Sequence, residues 1–294
     1  MENRKLANLI FTGMLLLLIL APHTTFLSWF RLAWGDQQYG YLWVIPLIAA
    51  VLIAFDRRRI FARTCIAPEG MALVATGIVL GAVAHVFSAG LGRVNGLTVA
   101  MLGTQIFCAG SFRFCYGRQA WREARFPLLF LLFMVPFPEP MLERVVWGLQ
   151  HGSAAVVDAL FSLAPVVYLR EGLCFYLPGL SIEIAPECSG INSSMALLVC
   201  ITLLANFGLR TRWRQLLLVA SIVPVVLFKN GLRIATLSVL AVKVDPSFLT
   251  GSLHHRGGIV FFALMLLVMF AFFQLLRYQE RDKPDRRGDG AVSS

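Results

Sequence analysis

Residues Pro186-Glu187-Cys188-Ser189-Gly190-Ile191-Asn192 place one thiol beside a carboxylate and two small residues, at the lip of an apolar run that begins at Ile191. A thiol in that position can be a nucleophile, provided that a positive charge and a proton carrier reach the same place; without them it is a small buried hydrophobe. Two other segments carry such groups. Asn230-Gly231-Leu232-Arg233 puts a guanidinium near the far end of an apolar run that starts at Gln215, and His254-His255-Arg256-Gly257-Gly258 supplies imidazoles in a polar stretch. Together the three suit acyl transfer: a thiolate attacks a carbonyl, a fixed cation or backbone N–H groups stabilise the oxyanion, and a histidine carries the proton.

Composition fixes what must hold these groups. The 294-residue chain is 58% hydrophobic and 14% charged, and its mean hydropathy is +0.73. Such a chain has too much apolar surface for a water-soluble globule and reads as an all-α polytopic membrane protein. The net charge of +10 comes from short basic clusters between apolar runs, the distribution of topology signals, and does not point to nucleic acid.

Apolar runs cover about 6–30, 41–55, 71–91, 97–112, 126–138, 191–207, 215–242 and 259–276. They predict eight spans, the second, fourth and fifth short of the roughly 17 to 20 residues a crossing needs. The first, after Arg4 and Lys5, reads as a retained signal anchor. With a cytoplasmic N-terminus, eighteen of the 26 basic residues fall inside and six outside, which favours both termini in the cytoplasm. The mixed stretch 141–164 suits an interfacial or re-entrant helix, and 173–184 a small β-hairpin on the extracytoplasmic face. Residues 1–279 then form one integral membrane domain and 280–294 a disordered cytoplasmic tail.

Geometry gives the three groups a common level. Arg233 lies 18 residues beyond Gln215, about 27 Å along a helix, most of a ~30 Å hydrocarbon core. It therefore reaches the outer interface, where Cys188 and the loop bearing His254 and His255 are also expected. Asn230 shares a helix side with Arg233. Cys188 precedes a helix N-terminus, whose positive end lowers a thiol pKa, and Ser189 and Gly190 leave room for close approach of substrate.

These motifs resemble the exosortase and archaeosortase family of membrane-embedded cysteine transpeptidases. The likeness rests on Glu187-Cys188-Ser189-Gly190, Asn230-Gly231-Leu232-Arg233-Ile234, and a histidine followed closely by glycine at His254 to Gly258. It extends upstream through Pro127, Pro136-Phe137-Pro138, Leu149-Gln150 and the turn segments at Gly172 and Pro178-Gly179, so it covers roughly 127–262. The resemblance implies a sorting enzyme of the inner membrane. It would recognise exported proteins ending in a short motif such as Pro-Glu-Pro, a transmembrane helix and a basic cluster, hold the cleaved protein as a thioester, and pass it to a surface acceptor. By position, Cys188 is the nucleophile, Arg233 the oxyanion or substrate stabiliser and His254 the acid/base. His255 is the alternative register, and Glu187, Asn230 and Ser189 are supporting residues. The letters Pro-Phe-Pro-Glu-Pro at 136–140 also look like a sorting motif, but mid-chain they read as a helix end broken by prolines.

A different class remains open: a transporter or membrane scaffold in which Arg233 and Glu187 line a polar path and Cys174 and Cys188 form a structural disulfide. It expects internal repeats and mid-membrane polar groups, whereas the polar residues here gather at one edge. No metal or nucleotide motif is present, so no cofactor is expected, and the partners are exported protein substrates and the surrounding lipid.

Overall fold

The computed structural model describes residues 2–20, 23–164, 166–245 and 252–281. They form thirteen α-helices and one small sheet, divided into two compact units, Met1–Leu142 and Glu143–Ser294. The all-α membrane class is what the apolar runs demand, because in lipid each helix satisfies its own backbone polar groups.

In the first unit α1 (Glu2–Leu20) and α2 (His23–Gly35) precede α3 (Val44–Phe55), α4 (Arg57–Ile60), α5 (Gly70–Val86), α6 (Ser88–Leu91), α7 (Arg93–Glu123) and α8 (Arg125–Phe130). The tightest pairing is α5 against α7, and glycine makes it possible. A Cβ on Gly77 would stand 2.6 Å from Phe107 N, one on Gly103 2.9 Å from Gly77 O, and one on Gly110 2.6 Å from Val74 N. Gly70 and Gly77, like Gly103 and Gly110, are seven residues apart, so each helix shows its partner a stripe at which the backbones touch. Further along, α7 is interrupted at Gly117, whose φ of 80° and ψ of −177° are non-helical. Around that point Phe61 packs edge to face on Tyr116, and Phe112 lies tilted against it, beside Ala7, Ala120 and Ala124.

The proline-rich segment ends a helix, as read from the sequence. The chain from Arg125 to Met134 and α9 (Glu139–Leu163) meet at 87°. The bend frees backbone groups, and side chains of the same unit take them up: Trp29 Nε1 donates to Met134 O at 2.8 Å, Thr98 Oγ1 lies 3.0 Å from Pro136 O, and Glu139 N donates to Asn95 Oδ1 at 2.8 Å. This accounting is what permits irregular backbone in a chain of this class.

The second unit holds most of α9, then β1 (Leu169–Glu171), β2 (Cys174–Leu177), β3 (Leu180–Glu183), α10 (Ile191–Gly208), α11 (Arg212–Ala220), α12 (Ile222–Lys243) and α13 (Ser252–Arg281). The expected hairpin is a three-stranded antiparallel sheet in the order β1-β2-β3. β1 was invisible in sequence because Leu169-Arg170-Glu171 is short and only its central residue turns inward. Phe175 and Leu177 from the sheet, with Ile184, pack on Ala154, Val157 and Phe161 of α9 and Ala235 of α12. Asp158 ties the sheet to α9 by accepting from Tyr168 at 2.8 Å and Arg170 at 2.9 Å.

The eight apolar runs all carry helices, though not every one is long enough to cross by itself. Among the described residues Arg93–Glu123, Arg212–Lys243 and Val260–Arg281 are long and apolar enough to cross a bilayer by themselves. Two bent pairs, Arg4–Leu20 with His23–Gly35 at 70° and the pair at the proline bend, raise the number to five. Val44–Phe55, Gly70–Val86 and the segment Ser193–Gly208 are shorter apolar helices. Hydropathy measures the transfer cost of a segment, not its straightness, so it joined what the fold bends. The polar tail is outside the described residues from 282 onward.

Candidate functional site

Among the described residues, the hydrogen bonds that hold the cysteine loop in place come from the second unit. β3 ends at Glu183, and Ile184 leads out of the sheet with its N–H on Leu173 O at 3.1 Å and its carbonyl accepting from Gln150 Nε2 of α9 at 2.7 Å. Pro186–Ser189 then makes one 3-10 turn, which places the backbone of Cys188 directly ahead of α10. The junction is Gly190, in the left-handed region at φ 80° and ψ 13°, where a side chain costs about 1 to 2 kcal/mol. Its carbonyl accepts from Ser193 Oγ at 2.9 Å and Ser194 Oγ at 2.8 Å, so the turn is tied to the first residues of α10. Ser189 is fully buried, and its Oγ has no hydrogen-bond partner among the described residues.

The neighbour of this turn is α12. A Cβ on Gly190 would lie 3.6 Å from Asn230 Cγ and 3.8 Å from Lys229 Nζ. Lys229, 7% exposed, donates from Nζ to Ser193 Oγ at 2.9 Å, which completes a chain from the ammonium through Ser193 to the Gly190 carbonyl. Asn230, fully buried, donates from Nδ2 to Ser153 Oγ of α9 at 3.0 Å. That bond needs α9 and α12 close together, and glycine again permits it: a Cβ on Gly231 would stand 2.6 Å from Val156 Cβ, and one on Gly152 2.7 Å from Leu227 Cδ2. Arg233 is half-buried one turn further along α12.

The structure thus brings together the backbone of the Cys188 turn, Asn230 and the helix that carries Arg233. The histidines are placed by backbone only, within the first turn of α13. The C-terminal half of α13 is fixed against the rest of the unit: a side chain on Gly208 would collide with Phe273, Glu280 accepts from Arg210 N and Thr211 N at 2.9 and 2.8 Å, and Arg214 donates to Leu276 O and Gln279 O. The side chains of Glu187, Cys188, His254 and His255 are outside the described residues.

Cys174 is a half-buried free thiol on β2; the Cys188 side chain with which the scaffold reading pairs it is outside the described residues. Gln150, Ser153, Lys229 and Ser193 hold the loop and escaped the sequence reading as site residues. Only their polarity on apolar helices could have drawn notice; nothing local names the acceptor.

Lys229 and Arg233 stand one turn apart on α12, a spacing at which two like charges repel. The family model described as Transmembrane exosortase (Exosortase_EpsH) matches residues 29–271, a stretch that contains the whole assembly. The chain belongs to the transmembrane exosortase family. No curated protein and no solved structure matches it. For this exosortase, the match reaches upstream of the 127–262 stretch that carried the sequence motifs and takes in all but the start of the first unit.

Proposed function

We propose that this exosortase is a membrane-embedded cysteine peptidase and transpeptidase that cleaves C-terminal sorting signals of exported proteins. The observation that carries the reading is the seating of the Cys188 turn against Lys229 and Asn230 on the helix bearing Arg233, inside a family match of 243 residues from 29 to 271. In the reaction the Cys188 thiolate attacks the scissile carbonyl and forms a carbon–sulfur bond. The carbonyl oxygen takes the negative charge beside Arg233 and backbone N–H groups. Collapse breaks the carbon–nitrogen bond, and His254 gives the departing amine its proton. An acceptor nucleophile at the cell surface then displaces the thiol from the thioester, with water as the hydrolytic substitute. Glu187 holds Arg233, and Asn230 holds the helix face to which both cations belong. His255 takes the role of His254 if the register shifts by one.

The supporting topology has both termini in the cytoplasm, eight crossings of the inner membrane and the site on the extracytoplasmic side, as the distribution of basic residues favours. The substrates are exported proteins with a short motif, a transmembrane helix and a basic cluster. The test co-expresses wild type or Cys188→Ala with a substrate bearing such a tail and follows its processing. Cys188→Ala is expected to abolish processing and Cys174→Ser to leave it intact. Unchanged processing by Cys188→Ala, at equal protein level, overturns the assignment.

A further inference from the structure

A cavity of about 740 Å³ lies wholly in the first unit between α1, α2, α5 and α7, in a part of the chain to which the reaction assigns no role. Its two ends differ. Because α5 and α7 are antiparallel and meet at Gly77 and Gly103, His85, Ser88 and Arg93 share one end, with Thr25 and Ser28 of α2 also on the wall. The opposite end is apolar, formed by Leu18, Ile78 and Phe107. Gly77 to His85 is about 12 Å of helix and Arg93 to Phe107 about 21 Å, so the cavity is about as long as one leaflet of a ~30 Å hydrocarbon layer is deep.

We propose that this cavity is a binding site for an anionic phospholipid of the surrounding bilayer, its acyl part along the glycine-rich wall and its phosphate at Arg93. Three observations support that occupant. Arg93 and His85 are exposed and Arg93 forms no ion pair among the described residues; a guanidinium is suited to two parallel hydrogen bonds to a phosphate. Glu139, the carboxylate near Gly92, is engaged by Asn95 Nδ2 at 3.2 Å and is not part of the wall. Secondly, Gly81 and Gly96 line the cavity with nothing within 4 Å of where a Cβ would stand, so no described side chain fills the space beside them. Finally, the polar and basic groups of the lining stand at one end of the cavity and its apolar wall at the other, the arrangement of headgroup and chains in a lipid.

The experiment uses delipidated full-length protein in detergent, titrated with phosphatidylglycerol or phosphatidylcholine of identical chains and read by native mass spectrometry. Wild type is expected to take up one phosphatidylglycerol with at least a tenfold preference over phosphatidylcholine. Arg93→Gln should bring the two lipids to within about twofold, while Arg118→Gln, outside the cavity, keeps the preference. Gly96→Leu, and independently Gly81→Leu, should fill the space and remove saturable binding of either lipid, with unchanged helical circular dichroism as the check on folding. Saturable phosphatidylglycerol binding in both well-folded leucine variants, an unaltered preference in Arg93→Gln, or displacement of the lipid by inorganic phosphate alone would overturn the proposal. Each readout is independent of peptidase activity.

Discussion

Both units bring helices together through glycine, yet to opposite ends. In the first, Gly77, Gly103 and Gly110 face the backbone of the partner helix, and the buried stripe of α5 and α7 closes by van der Waals contact, with the Glu69 and Arg113 ion pair only at its outer end. In the second, Gly152 and Gly231 face side chains, and the closeness they allow is used to pair Ser153 with Asn230 across α9 and α12. A seam without polar groups has one job, which is to stay closed. A seam with a buried amide, an ammonium and a tied loop carries desolvation costs that its hydrogen bonds must offset. The same residue type thus closes an apolar seam in one region and permits a polar one in the other.

The contrast can be broken most forcefully at the first seam. Gly110→Leu puts a branched side chain where even a Cβ meets Val74 N at 2.6 Å, and overpacking of that kind costs about 3 kcal/mol or more; thermal unfolding in detergent should show a large loss or no folded protein. In the second unit Asn230→Leu strands Ser153 Oγ, which costs about 1 to 3 kcal/mol. If the unit is a site, substrate processing falls much further than that stability loss explains, and Ser153→Ala together with Asn230→Ala should show coupling in a double-mutant cycle. Equal losses of processing and stability would make the two seams alike.

Smaller still is Gly190→Ala. The added methyl finds ordinary contact distances of 3.6 and 3.8 Å, so its cost of about 1 kcal/mol comes from the left-handed backbone, and the processing rate measures how far the Cys188 turn tolerates it. The least effect is expected at the surface of the first unit. Glu69 hydrogen-bonds Arg113, and this bond and the positive charge hold its carboxyl below the usual range. A lowered carboxyl value means the contribution is complete above the ordinary value of 4.5 and disappears as pH falls through the shifted one. A slight drop in melting temperature below that pH, absent in Glu69→Gln, is the expected outcome, while processing near neutral pH is unaffected.

Much of this was legible in the residues. The apolar runs became helices, Pro136 and Pro138 marked the bend, and the Cys188 motif sits where a helix begins. Asn230 and Arg233, three apart, share a turn of α12 as their spacing required. What was not legible involves distance along the chain: Gln150 reaches Ile184 across 34 residues, Lys229 reaches Ser193 across 36, and Ser153 meets Asn230 across 77. Lys229 in particular has nothing beside it in the chain that names a partner, and the fold has it pair with Ser193 in the first turn of α10.

By itself, then, the sequence determined the solvent, the helices and the residues capable of chemistry, because transfer free energies and backbone preferences are local and add along the chain. Which helices stay straight, which bend, and which polar groups find one another was decided only by the tertiary structure. A hydrogen-bond partner is a property of two positions, and no single stretch of residues contains both.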